Sequence, residues 1–422
     1  MGRAAFVSHQ WLARNHPDPN FKQMRILQDA LKRLMSSHGS VPLDMVTESA
    51  VPTAKPLPMR AFQEQALFVW YDFFSCPQQH RKSADQASLS QQADAISSIP
   101  AYVAKCYFFL ALCPVLDCPE ESKVLSATTW NHRGWCRVER TARELSSNSS
   151  WVLIQSDAAF EVVGTAVSFV TGAVGEGEFG IESDRQMLAP VMRSIILQKL
   201  KRCLRAGDLP GFRRNFSLQS VYLRGLDIEH VAGLLDSNDD SDDAASASGT
   251  SGASGASGAS GRLDAVAEFL RQNGLRKACK ADSAGWRPLH YAALAGDVEV
   301  LQGLLEGRAD VNRRTSKDEP VLGFPPWMSA LDLAVCYKHH DATRLLLSAR
   351  ANLEGGLAPA LVFAAMTDNV EGIRLLCAAG GNPLGRNLFG FSPLMTGASY
   401  AATAAVEELI KQGRPDPLEL SR

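Results

Sequence analysis

This chain lacks a bias toward either sign of charge. Its 43 Lys and Arg residues stand against 45 Asp and Glu, a formal charge of −2 over 422 residues. So even a balance excludes a surface built mainly for nucleic acid or anionic lipid. Long hydrophobic runs are missing too: no stretch reaches the roughly 18 uninterrupted apolar residues of a membrane span. The opening residues have too short an apolar run for a secretory signal, and Phe6 stands where a myristoylation signal needs Ser or Thr. The nine cysteines, an odd number, form no C-x-x-C pair and no regular spacing. That pattern fits free thiols in a reducing compartment, and neither Cys76 with His80 nor Cys113 with Cys118 completes a tetrahedral metal set. These absences predict a cytoplasmic protein with no metal, no resident cofactor, no transmembrane segment and no nucleic-acid partner. What is there, 45% hydrophobic and 21% charged residues, is the composition of a globular chain with room for two or three domains.

The sharpest break is the run from Ser237 to Gly261, acidic at Asp239, Asp240, Asp242 and Asp243 and then repeating Ser-Gly-Ala. It has almost nothing to bury and predicts a flexible tether over 236–261. Beyond it, 282–312 reads DSAGWRPLHYAALAGDVEVLQGLLEGRADVN. Gly285 permits a tight turn and Pro288 pre-sets a first helical turn. Leu289, Ala292 and Ala293 make a small-residue face, Gly296 ends that helix, and Val300, Leu301, Leu304 and Leu305 stripe a second one. This segment resembles the ankyrin repeat over nearly its whole length. The pattern recurs from Ser329, from Ala360 and from Ser392, with Leu263–Gly274 similar to the outer helix of a degenerate capping unit. The extra length around Lys317–Trp327 predicts an extended finger. Such repeats stack into a solenoid of about four to five units over 262–417, with a surface that holds a protein partner. The exposed turns and inner helices place Trp286, Tyr291, Asp297, Arg313, Arg314, Tyr337, Lys338 and Asp368 as candidate partner-binding residues. His290 takes the histidine position of the repeat, where the resemblance implies a hydrogen bond between turns.

Upstream, strands and helices alternate. Ala5–Ser8, Ala66–Phe74, Tyr107–Val115 and Trp151–Gln155 read as buried strands; Asn20–Met35, Ser88–Lys105 and Gly134–Leu145 read as helices, with Pro100 expected to break or kink its own. Apolar strands between helices argue for a parallel sheet covered on both faces, with ligands at the carboxyl ends of its strands. Ser8, His9 and Trp11 follow the first strand, Asp72, Ser75 and Gln78 end or follow the second, and Arg133, Trp135 and Glu139 precede the last. Three segments here carry a resemblance: FVSHQW at 6–11, FVWYDFFSCPQQ at 68–79 and RGWCRVE at 133–139. In this order they resemble the TIR domain and the fungal heterokaryon-incompatibility domain, over roughly residues 4–156. The resemblance implies a flavodoxin-like α/β domain over 1–156 that serves signalling and self-assembly. In TIR domains that cleave NAD, the Glu of the W-C-x-x-E segment is catalytic, which maps onto Glu139. There a carboxylate stabilises the oxocarbenium-like state as nicotinamide departs. Ser8, His9, Trp11, Asp72 and Trp135 are the accompanying ligand-binding candidates, and NAD is then a substrate. Residues 36–60 show no counterpart of the loop that closes the TIR site. The alternative is a solvated Glu139 paired with Arg137 or Arg143.

Two further features read as structural. Gly175–Gly180 fits G-x-G-x-x-G, but Glu176 and Glu178 would repel a phosphate, so it reads as a flexible loop. Residues 187–205 form an amphipathic helix with Leu188, Met192, Ile196, Leu200 and Cys203 on its packed face. Residues 157–235 as a whole read as a helical extension.

Overall fold

The computed structural model describes residues 2–13, 16–51, 53–76, 86–118, 123–164, 172–235, 258–317 and 324–413. Most of the expected tether, and the tip of the finger at 318–323, lie outside them. The chain forms two compact units: one holds Met1–Ile196 with Tyr222–Ile228, the other Leu197–Val221 with Glu229–Lys317 and Pro326–Arg422.

The first unit is a mixed α/β domain. Its five-stranded sheet is made of β1 (Arg3–His9), β2 (Leu67–Tyr71), β3 (Phe108–Leu112), β4 (Trp151–Ile154) and β5 (Phe160–Val163), in the order β2-β1-β3-β4-β5. The first four run parallel, and β5 closes the edge antiparallel to β4, so the all-parallel expectation is corrected at one strand. A short turn joins β4 to β5, which allows only an antiparallel return, whereas a parallel one needs a crossover. Each β3 side chain chooses a face by alternation. Phe108, Leu110 and Leu112 join Ala5, Val7, Leu27, Leu34 and Phe62 on one side, while Phe109 and Ala111 join Phe6, Val103, Trp130 and Trp151 on the other. Both faces are therefore buried, as continuous apolar strands require.

Three helices cover the sheet: α1 (Lys22–Ser36), α2 (Gln86–Lys105) and α3 (Gly134–Glu144). Pro100 lies inside α2 without ending it. The expected strand over Ala66–Phe74 stops at Tyr71, and Asp72–Ser75 turns into a short helix. Asp72 is thereby placed at the tip of β2, where its own Oδ1 accepts from Phe73 N. Gly175 belongs to a packed turn instead of a flexible loop, because a Cβ there would run into the backbone of Gly225. The loop's Glu178 carbonyl accepts from Gly134 N at 2.8 Å, which pins the start of α3. In the amphipathic helix Glu182–Arg205, the residues Leu188, Met192, Ile196, Leu200 and Cys203 are all buried, the stripe its spacing predicts.

The second unit is a stacked-helix solenoid. Its inner helices are Pro288–Ala295, Ala330–Cys336, Ala360–Met366 and Pro393–Ser399; its outer helices are Val298–Glu306, His340–Ser348, Val370–Ala378 and Thr403–Gly413. Inner packs on inner and outer on outer along the stack, as expected for ankyrin repeats. Each inner helix ends in a left-handed residue: Gly296, Lys338, Asp368 and Ala401, with φ of 72°, 58°, 51° and 53°. The finger between the first two units is closed at its base, where Thr315 N donates to Met328 O and Trp327 N to Thr315 O, each at 2.9 Å.

Candidate functional site

At the carboxyl ends of β1 and β2 the structure gathers Ser8, His9, Trp11, Asp72 and Glu139. Ser8 is the penultimate residue of β1, with its side chain on the α3 side of the sheet, and 1% exposed. Its Oγ accepts from the indole N–H of Trp130 at 2.9 Å. An indole N–H only donates, so the single hydroxyl proton of Ser8 is left for Glu139, whose Oε2 accepts it at 2.5 Å. Glu139 reaches this point because α3 is buried along its length and held from several sides. Arg143 donates to the carbonyls of Cys106, Tyr107 and Ser150, and Arg137 to those of Asn131 and Ala173. Neither arginine pairs with Glu139 in these bonds, so the alternative of a solvated Glu139 paired with Arg137 or Arg143 does not hold.

His9, one residue on, faces the other way. Its Nε2 lies 2.7 Å from Asp72 Oδ1, and its ring stacks on Tyr71 with centroids 4.1 Å apart. Trp11 Nε1 donates to the second oxygen, Asp72 Oδ2, at 3.0 Å. Alternation along β1 and the cradle around Asp72 thus give the two carboxyl groups opposite treatment. Burial pushes Glu139 up to about 8, against the lowering effect of the Ser8 hydroxyl, and the charge of Asp72 adds to the rise. Burial also acts to raise Asp72, but the hydrogen bond and charge of His9, with the N–H groups of Trp11 and Phe73, hold it below the usual range. Asp72 is therefore an ionised acceptor, which puts a proton on His9 Nε2. Two carboxyl groups with acidities pushed apart are the arrangement that acid–base chemistry uses. Cys76 sits near both, its thiol pushed up by burial and then by the charges of Asp72 and Glu139.

Trp135 is not part of this cluster through its polar edge: its indole N–H goes to Asp184 Oδ2 at 3.0 Å. Trp130 and Tyr71 are the residues that sequence reasoning passed over. Trp130 stands one helical turn before the R-G-W segment, and its position before that motif was the available signal.

In the solenoid, two of the candidate contact residues are corrected. Trp286 is 1% exposed and Tyr291 0%, so neither offers a surface. Their rings pack together at 5.3 Å, and the Tyr291 hydroxyl donates to Asp282 Oδ2 at 2.5 Å. Asp297 caps its own helix through Val300 N, and Asp368 accepts from Ala405 N of the next unit. Arg314 bridges to Asp332 and to the carbonyls of Trp327 and Glu354. Tyr337 is half-buried, while Arg313 and Lys338 stand exposed on the turns. His290 accepts from Arg287 N and has Nε2 at 2.9 Å from the Arg313 carbonyl, joining successive turns. Burial pulls it down to about 4.

Residues 253–305 match the family model for ankyrin repeats in many copies. The chain is 32% identical over 154 residues to the tyrosine-protein kinase Shark of Drosophila melanogaster, covering 35% of this chain and 15% of that protein. It is 26% identical over 156 residues to the human transient receptor potential cation channel subfamily A member 1, covering 36% of this chain and 13% of the channel. The chain thus spans under a fifth of the length of either relative. Fold and comparisons together define a protein with an ankyrin-repeat region and a separate mixed α/β domain. Among the described residues, no helix is long and apolar enough to cross a membrane.

Proposed function

We propose that the α/β domain cleaves the glycosidic bond of NAD, or of a closely related N-ribosyl cation, and that the ankyrin region binds the protein that directs it. The observation that carries this reading is the Ser8–Glu139 hydrogen bond beside the His9–Asp72 pair. The Ser8 hydroxyl holds one Glu139 oxygen, Oε2, and in this reading the other, Oε1, is the one that meets the ligand. As the bond from ribose C1′ to the cationic pyridinium nitrogen lengthens, both bonding electrons leave with nicotinamide, and positive charge moves onto the ribose. A carboxylate at that carbon stabilises the transition state more than the ground state. Water then adds to C1′ and gives up a proton, for which the ionised Asp72 carboxylate, held in place by His9 and Trp11, is the acceptor.

The test is release of nicotinamide by the purified full-length chain, at high concentration and with a crowding agent, alongside Glu139→Ala. Turnover that the substitution abolishes supports the reading. No turnover in either protein sinks it and leaves partner binding through the repeats as the function. For that role the exposed turn residues Arg313 and Lys338 are the positions to substitute first.

A further inference from the structure

The first ankyrin unit would leave one face of Pro288–Ala295 open if nothing stacked on it. Instead that helix is covered by Leu209–Ser217, a helix from the other side of the 236–257 segment. Gly258–Gln272 in turn packs on Val298–Glu306. The two covering helices hold the inner and outer positions of one more unit, and all four belong to the same compact unit of the chain. Close approach is built in, since a Cβ at Gly303 would run into Val266.

The join is made by buried groups. Phe212 is 0% exposed, and Asn215, Ser217, Leu218 and Val221 are buried. Arg213 donates from Nε to the Asn273 carbonyl at 2.8 Å and from Nη2 to the Gly274 carbonyl at 2.9 Å, satisfying the end of Gly258–Gln272. Its Nη1 lies 3.1 Å from Asp282 Oδ2, with both side chains nearly sealed at 6% and 4% exposure. Asp282 is also the acceptor for the Tyr291 hydroxyl, and its other oxygen accepts from Ala284 N and Trp286 N. The Arg214 guanidinium lies over the Trp286 ring at 5.7 Å. One arginine thereby joins upstream chain, outer capping helix and first repeat.

We infer that the terminal repeat of the solenoid is an interface between two stretches of this chain, Leu209–Val221 and Gly258–Ala295. The solenoid therefore keeps hold of the upstream chain even when the connecting segment is cut. The partner that fits the inner face of the first repeat is the Leu209–Ser217 helix itself, recognised by a buried arginine–aspartate pair and the Phe212 ring.

The experiment places a specific protease site after Gly252 in the full-length chain, cuts it, and runs the product on a sizing column at about 1 μM. Hydrogen exchange of the Leu209–Ser217 amides is followed before and after the cut. The expected result is one species holding both pieces, with those amides as protected as in the uncut chain. Arg213→Glu should weaken association by at least a hundredfold, and Arg213→Glu with Asp282→Arg should recover most of it. Should uncut Arg213→Glu fail to fold, Arg213→Lys keeps the charge, loses the paired carbonyl bonds, and should weaken association about tenfold. Pieces that part in the unsubstituted chain, co-elution with the Leu209–Ser217 protection gone, or Arg213 variants that hold as tightly as the parent would each overturn the inference.

Discussion

Ser8 has a single proton, and Trp130 decides where it points. The indole N–H at 2.9 Å occupies the acceptor side of the hydroxyl, so the proton lies on Glu139 Oε2. Removing that donor with Trp130→Phe frees Ser8 to rotate, which costs about 1 kcal/mol of stability. If the proposed reaction is the right one, kcat should fall about tenfold with KM little changed, read from nicotinamide release against substrate concentration. Glu139 makes a sharper prediction. Its acidity is pushed up to about 8 from an ordinary value of 4.5, so the fold favours the neutral acid. Stability from this group is fully present below about pH 4.5 and is lost as pH rises through about 8. Glu139→Gln should therefore be more stable than the parent at pH 9 by a few kcal/mol, seen as a higher melting temperature, and the gap should close by pH 5. The carboxylate is the form that stabilises a ribosyl cation, so kcat/KM should climb through about pH 8. A flat pH profile with an unchanged melting difference would remove Glu139 from both accounts. His290 has the opposite sign: burial lowers it to about 4, so the stability it gives the solenoid fades as pH falls from about 6.5 to 4. His290→Gln should flatten that part of the melting-temperature profile.

At the scale of the element, spacing and local chemistry were enough to read some parts and useless for others. The stripe Leu188, Met192, Ile196, Leu200 and Cys203 was legible because a helix repeats its face at a fixed period, and every member is buried. Glu139, Ser8 and Asp72 were legible as a set because three short motifs follow in a fixed order, two at strand ends and one on α3, and the structure brings their side chains together. What stayed hidden depends on neighbours remote in sequence. Trp286 and Tyr291 read as surface because nothing in 282–312 says that Leu209–Ser217 will cover them. That helix is covered in the sequence only by the broad reading of 157–235 as a helical extension; it starts at Leu209, with Asp208 as its cap and Pro210 and Gly211 in its first turn. The solenoid's own turns carry a testable cost. Ala401 sits at φ 53° where the first unit has Gly296, a conformation that penalises a side chain. Ala401→Gly should raise stability by about 1 kcal/mol in urea unfolding, with an unchanged m-value.

At the scale of the whole chain, composition and contact disagree about where the solenoid begins, and the disagreement has a measurable consequence. The Ser-Gly-Ala run marks a break near Gly261, and the ankyrin match begins at 253, both reading sequence that is contiguous. Compactness instead assigns Leu197–Val221 to the same unit as the repeats. A Ser-Gly-Ala run is usually a border between domains, but here residues 236–257 lie in sequence between the two helices that fill one repeat. Loop closure grows only slowly with length, about 0.6 kcal/mol for each doubling, so an insertion of that size inside a repeat is tolerated. A fragment of residues 262–422 should then expose the inner face of Pro288–Ala295 and leave Asp282 without Arg213. Burial of Phe212, Leu218 and Val221 contributes about 2 kcal/mol each, while Asp282 in the opened fragment is met by water. Residues 197–422 should accordingly unfold at a distinctly higher urea midpoint than 262–422, by more than 5 kcal/mol in sum. Equal midpoints would mean that the repeats need no cap from upstream, and that the boundary drawn by composition is the physical one.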